Sequence, residues 1–157
     1  MTERPVAIDA DEVPAKTGSG YPQPYAARMG DRARRALGDV FGLTQFGVNR
    51  TRLAPGAHSA LRHAHALEDE FVYILEGSPV LITNAGETLL RPGMCAGFPA
   101  GSGDAHALVN RSDAEVVYLE LGSRMDDEAV DYPDDGMLGR TIHGRWTYLH
   151  GDGTPFA

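Results

Sequence analysis

The sequence predicts an all-β protein built as a single barrel or sandwich. Its 157 residues suffice for one domain with a hydrophobic core. From Thr44 to Leu121, short apolar or alternating stretches recur at a spacing of roughly 8–12 residues, with Gly, Pro or Asn between them. Many short strands separated by turn residues are typical of all-β sandwiches and barrels. No internal repeat is present, so the pattern indicates one structural unit.

The predicted strands follow one another along this part of the chain. The first contains Phe46, Val48, Thr51 and Leu53 among polar residues, and Pro55-Gly56 then turns the chain. The others span residues 60–66, 70–76, 79–83, 86–90, 95–98, 105–110 and 115–121. Asn84-Ala85-Gly86 predicts a hairpin between two of them. Pro79 predicts an edge strand or a strand start.

The stretch from Arg62 to Gly77 carries a metal-binding pattern. His63 and His65 stand two residues apart, and alternate side chains of a strand point to the same face. After a turn at residues 67–69, Glu70 is placed to open the next antiparallel strand on the same side. Two imidazole nitrogens and one carboxylate aimed at one point suit a divalent transition metal. The alternative is a surface strand with two solvated histidines.

A second stretch, Gly93–Asn110, places His106 in an apolar run after two turns. Together the two stretches resemble the paired motifs of the cupin family. The first motif is matched by Gly56, His63, His65, Glu70 and Gly77, and the second by Gly93, Pro99, Gly101, His106 and Asn110. The spacer after Gly56 is one residue longer than is usual for the family, and the gap before His106 is two residues longer.

The resemblance implies a fold, a site and an organisation of the chain. The fold is the double-stranded β-helix, or jelly-roll barrel, here as a single-domain monocupin of the conserved-barrel type. The site is one divalent metal held by His63, His65, Glu70 and His106. The chain then divides into an extended arm (1–24), the barrel (25–122, with the motifs at 56–77 and 93–110) and a tail that packs on the barrel (123–157).

Residues 20–157 also resemble one group of small bacterial single-domain cupins. The shared segments are Gly42–Gly47, Tyr132–Asp135 and Asp152–Phe156. Some members of that group are distantly similar to sugar-phosphate isomerases. This chain departs from the group at Ala64, where an aromatic residue is common, and at Ser78-Pro79, which replaces an acidic-aliphatic pair.

The segments outside the motifs carry further expectations. In the arm, Val6-Ala7-Ile8 is β-prone and can add as a short strand to a sheet edge. In the basic segment 25–39, solvated charges on a loop or short helical turn are favoured over a phosphate-binding patch. Its arginines are Arg28, Arg32, Arg34 and Arg35. The tail aromatics Trp146, Tyr148 and Phe156 are expected to pack across the barrel.

Composition and charge argue against several function classes. The formal net charge is −8, whereas nucleic-acid and anionic-membrane surfaces need clustered positive charge. No apolar run approaches the ~20 residues of a membrane span, and Met1–Lys16 lacks the apolar segment of a signal peptide. Cys95 is the single cysteine, so no intrachain disulfide can form and a reducing cytoplasm is expected. Cys95 itself is expected to be a small buried hydrophobe.

The site predicts a metal-dependent protein that acts on a small organic molecule. Three histidines and one glutamate leave one or two positions of an octahedral metal open, which favours an enzyme of isomerase, lyase or dioxygenase type. The alternative is a non-catalytic cupin that bears a metal or binds a small ligand. The ligand types leave Zn, Fe(II), Mn and Ni open as the metal.

Isomerase or lyase chemistry also needs a general base beside the metal. The candidates are Glu68 and Asp69, expected to be solvated on a turn, and Tyr73, which strand parity turns outward. The remaining histidines have no motif around them and are expected at the surface: His58, His143 and His150. Sheet edges that need covering, and the pairing common among cupins, predict a homodimer in which the arm adds to the partner's sheet.

Overall fold

The computed structural model describes residues 4–156, which are nearly all β. The helices are short: two 3-10 helices at Ala10–Glu12 and Tyr25–Met29, and one α-helix, α1, at Leu37–Val40. The strands are β1 (Ala15–Thr17), β2 (Arg32–Ala36), β3 (Phe46–Leu53), β4 (Ala64–His65), β5 (Glu70–Glu76), β6 (Val80–Thr83), β7 (Gly86–Leu89), β8 (Cys95–Phe98), β9 (Ala107–Val109), β10 (Val116–Ser123), β11 (Ala129–Tyr132), β12 (Met137–Ile142) and β13 (Arg145–His150). None of the described helices has the length and apolar character needed to cross a membrane.

The strands form two layers. The first layer is a six-stranded sheet in the order β1-β2-β3-β10-β5-β8, and the second combines the sheets β13-β12-β11-β4 and β7-β6-β9. A backbone bridge between His63, just before β4, and His106, just before β9, joins the two sheets of the second layer. Leu81 and Leu108 of the second layer share a hydrophobic core with Ile74 of the first. The predicted jelly-roll barrel is therefore confirmed.

Alternation along β5 decides which side chains reach the interior. Val72 and Ile74 are 2 % and 0 % exposed, whereas Tyr73 between them is 39 % exposed, as strand parity predicted. On the neighbouring β10, Tyr118 pairs with Ile74 and is also buried. Burying one such apolar side chain contributes about 1.5–3 kcal/mol. A register slip of β5 by one residue would move these buried side chains to the outer face, so the register is strongly specified. Glu70 has the same parity as Val72 and Ile74 and therefore points into the barrel.

The two strands that carry the first motif, β4 and β5, do not pair with each other, although the sequence predicts that Glu70 opens the next antiparallel strand. β5 begins at Glu70, as predicted, but it pairs with β10 and β8. The predicted strand over 60–66 shrinks to Ala64 and His65, which pair with β11. β4 and β5 therefore lie in opposite layers, and Glu70 meets the histidines across the barrel interior. The predicted hairpin at Asn84-Ala85-Gly86 does form, between β6 and β7.

Three strands within residues 123–156 extend the second layer of the barrel, in the part of the chain that the sequence predicted as a tail packing on the barrel. β11, β12 and β13 are antiparallel and extend the second layer beside β4. Beneath them lies a second core that contains Val130, Tyr132 and Met137. Tyr148 and Phe156 pack against this core, as expected, while Trp146 is 43 % exposed.

The N-terminal segment also differs from expectation. Val6–Ile8 is not a strand, and Val6 is fully exposed. Instead β1 adds to the sheet edge by pairing with β2. β2 itself lies within the basic segment that was expected to be a loop or helical turn, so its arginines occupy strand positions. Residues 1–3 of the arm and residue 157 of the tail lie outside the described residues.

Cys95 is exposed, and the prediction of a buried thiol was wrong. Parity along β8 is the reason. Phe98 is 8 % exposed and packs in the core together with Ala96, which is partly buried. Cys95 alternates with these residues and points outward.

Candidate metal centre

His63 and His106 are directly opposed residues in antiparallel segments. The backbone N–H of His63 donates to the carbonyl of His106 at 3.1 Å, and the N–H of His106 donates to the carbonyl of His63 at 2.8 Å. Their rings lie with centroids 4.7 Å apart. Because this pairing positions the backbone of His106, the longer gap after Gly101 does not move the ring away from His63.

Contacts outside the site hold two of the rings. Nδ1 of His63 lies 2.8 Å from the carbonyl oxygen of Leu61. Nδ1 is therefore the protonated nitrogen, and the lone pair is on Nε2. The ring of His106 stacks on Phe98, with centroids 3.4 Å apart and planes 4° from parallel. Neither ring nitrogen of the buried His106 has a hydrogen-bond partner among the described residues. Such an atom is costly to bury unless a ligand satisfies it.

Three imidazole nitrogens converge on one carboxylate oxygen. Oε2 of Glu70 lies 3.5 Å from Nε2 of His63, 3.1 Å from Nε2 of His65 and 3.2 Å from Nε2 of His106. Ligand atoms of His63, Glu70 and His106 all lie within 4.8 Å of one another. Imidazole and carboxylate donors in this proximity fit a divalent transition metal. These are the four residues that the sequence singled out, and the structure brings them together.

The charges in this cluster shift two pKa values in opposite directions. Burial raises the pKa of Glu70, but the close imidazoles of His106, His63 and His65 outweigh burial, and its pKa lies well below the ordinary value. Burial lowers the pKa of His65, but the hydrogen bond to Glu70 and the charges of Glu70, Glu128 and Glu68 bring its pKa above the ordinary value. A carboxylate kept ionised among imidazoles favours binding of a cation.

His65 also faces two carboxylates behind the cluster. Its Nδ1 lies 3.6 Å from Oε2 of Glu128 and 3.8 Å from Oε2 of Glu68, and these three residues form a second set of ligand atoms within 4.8 Å of one another. Glu128 is 4 % exposed, and its Oε1 accepts three backbone N–H groups, two of them from the turn after His65. Its Oε2 has no hydrogen-bond partner among the described residues. Glu128 is therefore placed to orient the ring of His65.

A cavity of about 340 Å³ opens beside the cluster. His63, His65 and Glu70 form part of its wall. Its other charged lining residues are Arg32, Arg34, Asp39, Glu68, Asp69, Glu120 and Arg124. A second cavity, also of about 340 Å³, shares His63 and His65 and is lined by aromatic residues of β11 and β13. The lining of the first cavity is rich in charged and polar side chains, which suits a polar substrate.

Glu120 is a second carboxylate that faces the first cavity. It shares the inward parity of Tyr118 and Gly122 on β10, and Gly122 pairs with Glu70 on β5. Its Oε1 accepts a hydrogen bond from Nδ2 of Asn49 at 3.3 Å. Burial first, and then the charge of Glu70, raise the pKa of Glu120.

Sequence reasoning missed Glu120 and Glu128. The alternation over residues 115–121 carried a signal for Glu120, because buried Tyr118 lies two residues before it. Glu128 lies in an acidic run, and only the path of β11 places it in the interior. Glu68 was expected to be solvated, but its side chain is 21 % exposed and accepts the N–H of Met125 at 2.8 Å. Asp69 is exposed, as expected.

The histidines without a motif stay outside the cluster. His143 and His150 are exposed, and His58 is partly buried beside Val109. None of these three appears in either group of potential ligand atoms found among the described residues.

The fold is a jelly-roll barrel, and its interior holds a His-x-His pair, a glutamate and a third histidine. This combination of fold and residues defines a class of barrel proteins that carry a metal-site motif. Residues 49–122 match the family model described as Cupin domain. The chain belongs to the cupin family, and the match runs from within β3 to within β10 and includes all four cluster residues.

Two solved structures resemble this chain in sequence as well as in fold. A protein from Silicibacter pomeroyi, described as a sugar phosphate isomerase from a cupin superfamily, is 42 % identical over 96 % of both chains, with a TM-score of 0.92. A protein from Acidithiobacillus ferrooxidans, provisionally named a sugar phosphate isomerase, is 30 % identical over 81 % of both chains, with a TM-score of 0.73.

Other similarities establish the fold alone. The polyketide cyclase RemF from Streptomyces resistomycificus is 22 % identical, covers 78 % of this chain and 80 % of its own, and superposes with a TM-score of 0.59. No curated protein matches this chain significantly. Because one fold hosts unrelated reactions, the activity has to be argued from the residues of the site.

Proposed function

We propose that this protein is a metal-dependent isomerase that interconverts the carbonyl and hydroxyl positions of a small sugar phosphate. The observation that carries the proposal is the convergence of three Nε2 atoms on Oε2 of Glu70, at 3.1–3.5 Å, beside a polar cavity that holds a further carboxylate. The designation of the Silicibacter pomeroyi protein, at 42 % identity, points to the same substrate class.

His63, His65, Glu70 and His106 are the residues that would hold the metal. The unpartnered nitrogens of His106 and the lone pair on Nε2 of His63 support this assignment. Zn, Fe(II), Mn and Ni all accept such donors. When bound, the metal supplies a Lewis acid that polarises the carbonyl and neighbouring hydroxyl oxygens of the substrate.

Glu120 is the residue we assign to proton transfer. With Glu70 committed to the metal, Glu120 is a carboxylate in the same cavity that is free to act as a base. It takes the proton from the carbon that bears the hydroxyl and returns it to the former carbonyl carbon. The hydroxyl proton passes to the former carbonyl oxygen, so the product is an isomer and no co-reactant is consumed.

The shape of the site favours an enzyme over a non-catalytic cupin. A metal centre that only stabilised the fold would be enclosed by apolar side chains. Here a cavity of about 340 Å³ reaches His63, His65 and Glu70, and its lining is rich in charged residues. The single, exposed Cys95 is compatible with a reducing compartment, and we propose the cytoplasm as the location.

The test is solvent exchange during turnover. The chain is loaded separately with Zn, Mn, Ni or, under anaerobic conditions, Fe(II). It is then incubated in D₂O with a panel of aldose and ketose phosphates. Proton NMR should show isomerisation with deuterium at the former carbonyl carbon, because the proton held on Glu120 exchanges with solvent before it is delivered there. Glu120→Gln should lower the rate roughly 10²–10⁴-fold while keeping the metal, and Glu76→Gln, which is exposed on neighbouring β5, should not.

The same experiment separates the competing functions. Turnover that consumes dioxygen and stops under anaerobic conditions would show a dioxygenase instead. Stoichiometric metal with no turnover of any substrate, aerobic or anaerobic, would favour a non-catalytic cupin.

A further inference from the structure

Two arginines of β2 point into the cavity of the candidate site. Arg32 and Arg34 occupy alternate positions of the strand, so they share one face. Arg32 pairs with Leu53 on β3, and Arg34 pairs with Thr51. Leu53 is 0 % and Thr51 1 % exposed, so this face is the interior of the barrel. Both arginines line the cavity that also contains His63 and Glu70.

Neither guanidinium has a carboxylate partner within 4.0 Å among the described residues. Eight other arginines of the described chain form ion pairs with Asp or Glu within 4.0 Å: Arg28, Arg35, Arg50, Arg52, Arg62, Arg111, Arg124 and Arg140. The remaining three, Arg4, Arg91 and Arg145, are exposed to solvent. Among the arginines of the described chain, Arg32 and Arg34 are thus the two that are partly buried and have no acidic partner.

The hydrogen bonds of these arginines leave capacity for a ligand. Nη1 of Arg32 donates to the carbonyl of Ser59, which holds its side chain in place. Nε of Arg32 is buried and has no partner among the described residues. The guanidinium of Arg34 makes no hydrogen bond to them either. An unpaired charge in a barrel interior is costly, and an anionic ligand removes that cost.

We propose that Arg32 and Arg34 bind the anionic group of the substrate, a phosphate monoester, while its carbonyl end lies at the histidine cluster. Guanidinium groups bind phosphate through paired N–H···O contacts, and two of them match the charge of a dianion. The acidic groups nearby are Glu120, Glu70 and Glu68, and they repel an anion from the metal-free site. The identity of the rest of the substrate rests on the proposed function, whereas anion binding does not require turnover.

The test measures binding of methyl phosphate to the metal-loaded full chain by isothermal titration calorimetry, with acetate titrated in parallel. The chain should bind methyl phosphate in preference to acetate. Arg34→Gln should weaken the binding of methyl phosphate roughly tenfold or more, since a charge-assisted contact is lost. Arg35→Gln, on the outward face of the same strand, should leave the affinity unchanged. Arg32→Gln is interpreted only with a thermal unfolding curve, because Arg32 also contacts Ser59.

Each outcome bears on the proposal. Equal affinity of Arg34→Gln and wild type for methyl phosphate would overturn the subsite, and preference for acetate would overturn its phosphate character. Methyl phosphate binding that depends on Arg34, without isomerase activity, supports the subsite and rejects the proposed function. Isomerase activity whose KM is unaffected by Arg34→Gln rejects the subsite and leaves the proposed function standing.

Discussion

Nδ1 of His65 faces Oε2 of Glu128 at 3.6 Å, while Nε2 of the same ring lies 3.1 Å from Oε2 of Glu70. One imidazole thus stands between a carboxylate in the cluster and a buried carboxylate behind it. In metal sites, an acceptor of this kind fixes the tautomer and orientation of a histidine ligand. Glu128 is held in turn by three backbone N–H groups.

Glu128→Gln should therefore weaken metal binding by roughly 10–100-fold. Glutamine keeps Oε1 for the backbone N–H groups but places an N–H donor, in place of a carboxylate oxygen, opposite Nδ1 of His65. The affinity is measured by competition with a chromophoric chelator, and Glu115→Gln, an exposed change, is the control. An unchanged affinity in a folded Glu128→Gln protein would remove Glu128 from the centre.

Removing a ring from the cluster should abolish stoichiometric metal. His63→Ala or His106→Ala deletes one of the nitrogens that converge on Glu70, and elemental analysis of the purified protein should then show far less than one equivalent. His143→Asn is the control, because His143 is exposed and its φ of 51° suits asparagine. One retained equivalent in the double variant His63→Ala/His65→Ala would show that the site is elsewhere.

Glu70→Gln should lower metal affinity by roughly 10–100-fold or more. The carboxylate oxygen of Glu70 is the point on which the three histidines converge, and an amide in its place carries no charge to attract a cation. Metal affinity and turnover are measured on the same preparation. Full metal affinity combined with lost turnover would mean that Glu70 is the base and not a ligand.

The homodimer remains a prediction, and the structure adds candidate surfaces for it. The outward face of β5 exposes Phe71, Tyr73 and Leu75 by 37–39 % each, and Val6 in the arm is fully exposed. Apolar side chains clustered on a sheet face commonly mark an interface. Sedimentation at micromolar concentration should give twice the 16.9 kDa chain mass.

Two sets of substitutions separate the surfaces. Phe71→Ser/Tyr73→Ser should produce monomers if the β5 face pairs, and Val6→Ser should do so if the arm crosses to the partner. Sedimentation of the unmodified chain near its monomer mass would count decisively against the dimer.

The four residues of the candidate metal cluster were predictable from sequence because they lie in motifs of fixed spacing and because strand parity is a local rule. The spacing of His63, His65 and Glu70 recurs in the cupin motif, and parity along β5 alone places Glu70 beside Val72 and Ile74 on the inward face. Turn residues such as Asn84-Ala85-Gly86 likewise determine a hairpin within a few residues of chain. The fold class and the cluster therefore follow from short-range pattern.

The partners of each element were decided by the tertiary structure. Whether β4 pairs with β5 or with β11 depends on contacts between residues more than sixty positions apart, and no local pattern near His65 encodes them. That choice brings Glu128 behind His65 and adds β11, β12 and β13 to the second layer of the barrel. The sequence predicted solvated charges for the arginines of β2. Arg32 and Arg34 face inward because β2 pairs with β3, and the sequence did not predict that pairing. Burial and charge pairing are properties of the assembled layers. For this reason only the tertiary structure determined which charged side chains line the cavity.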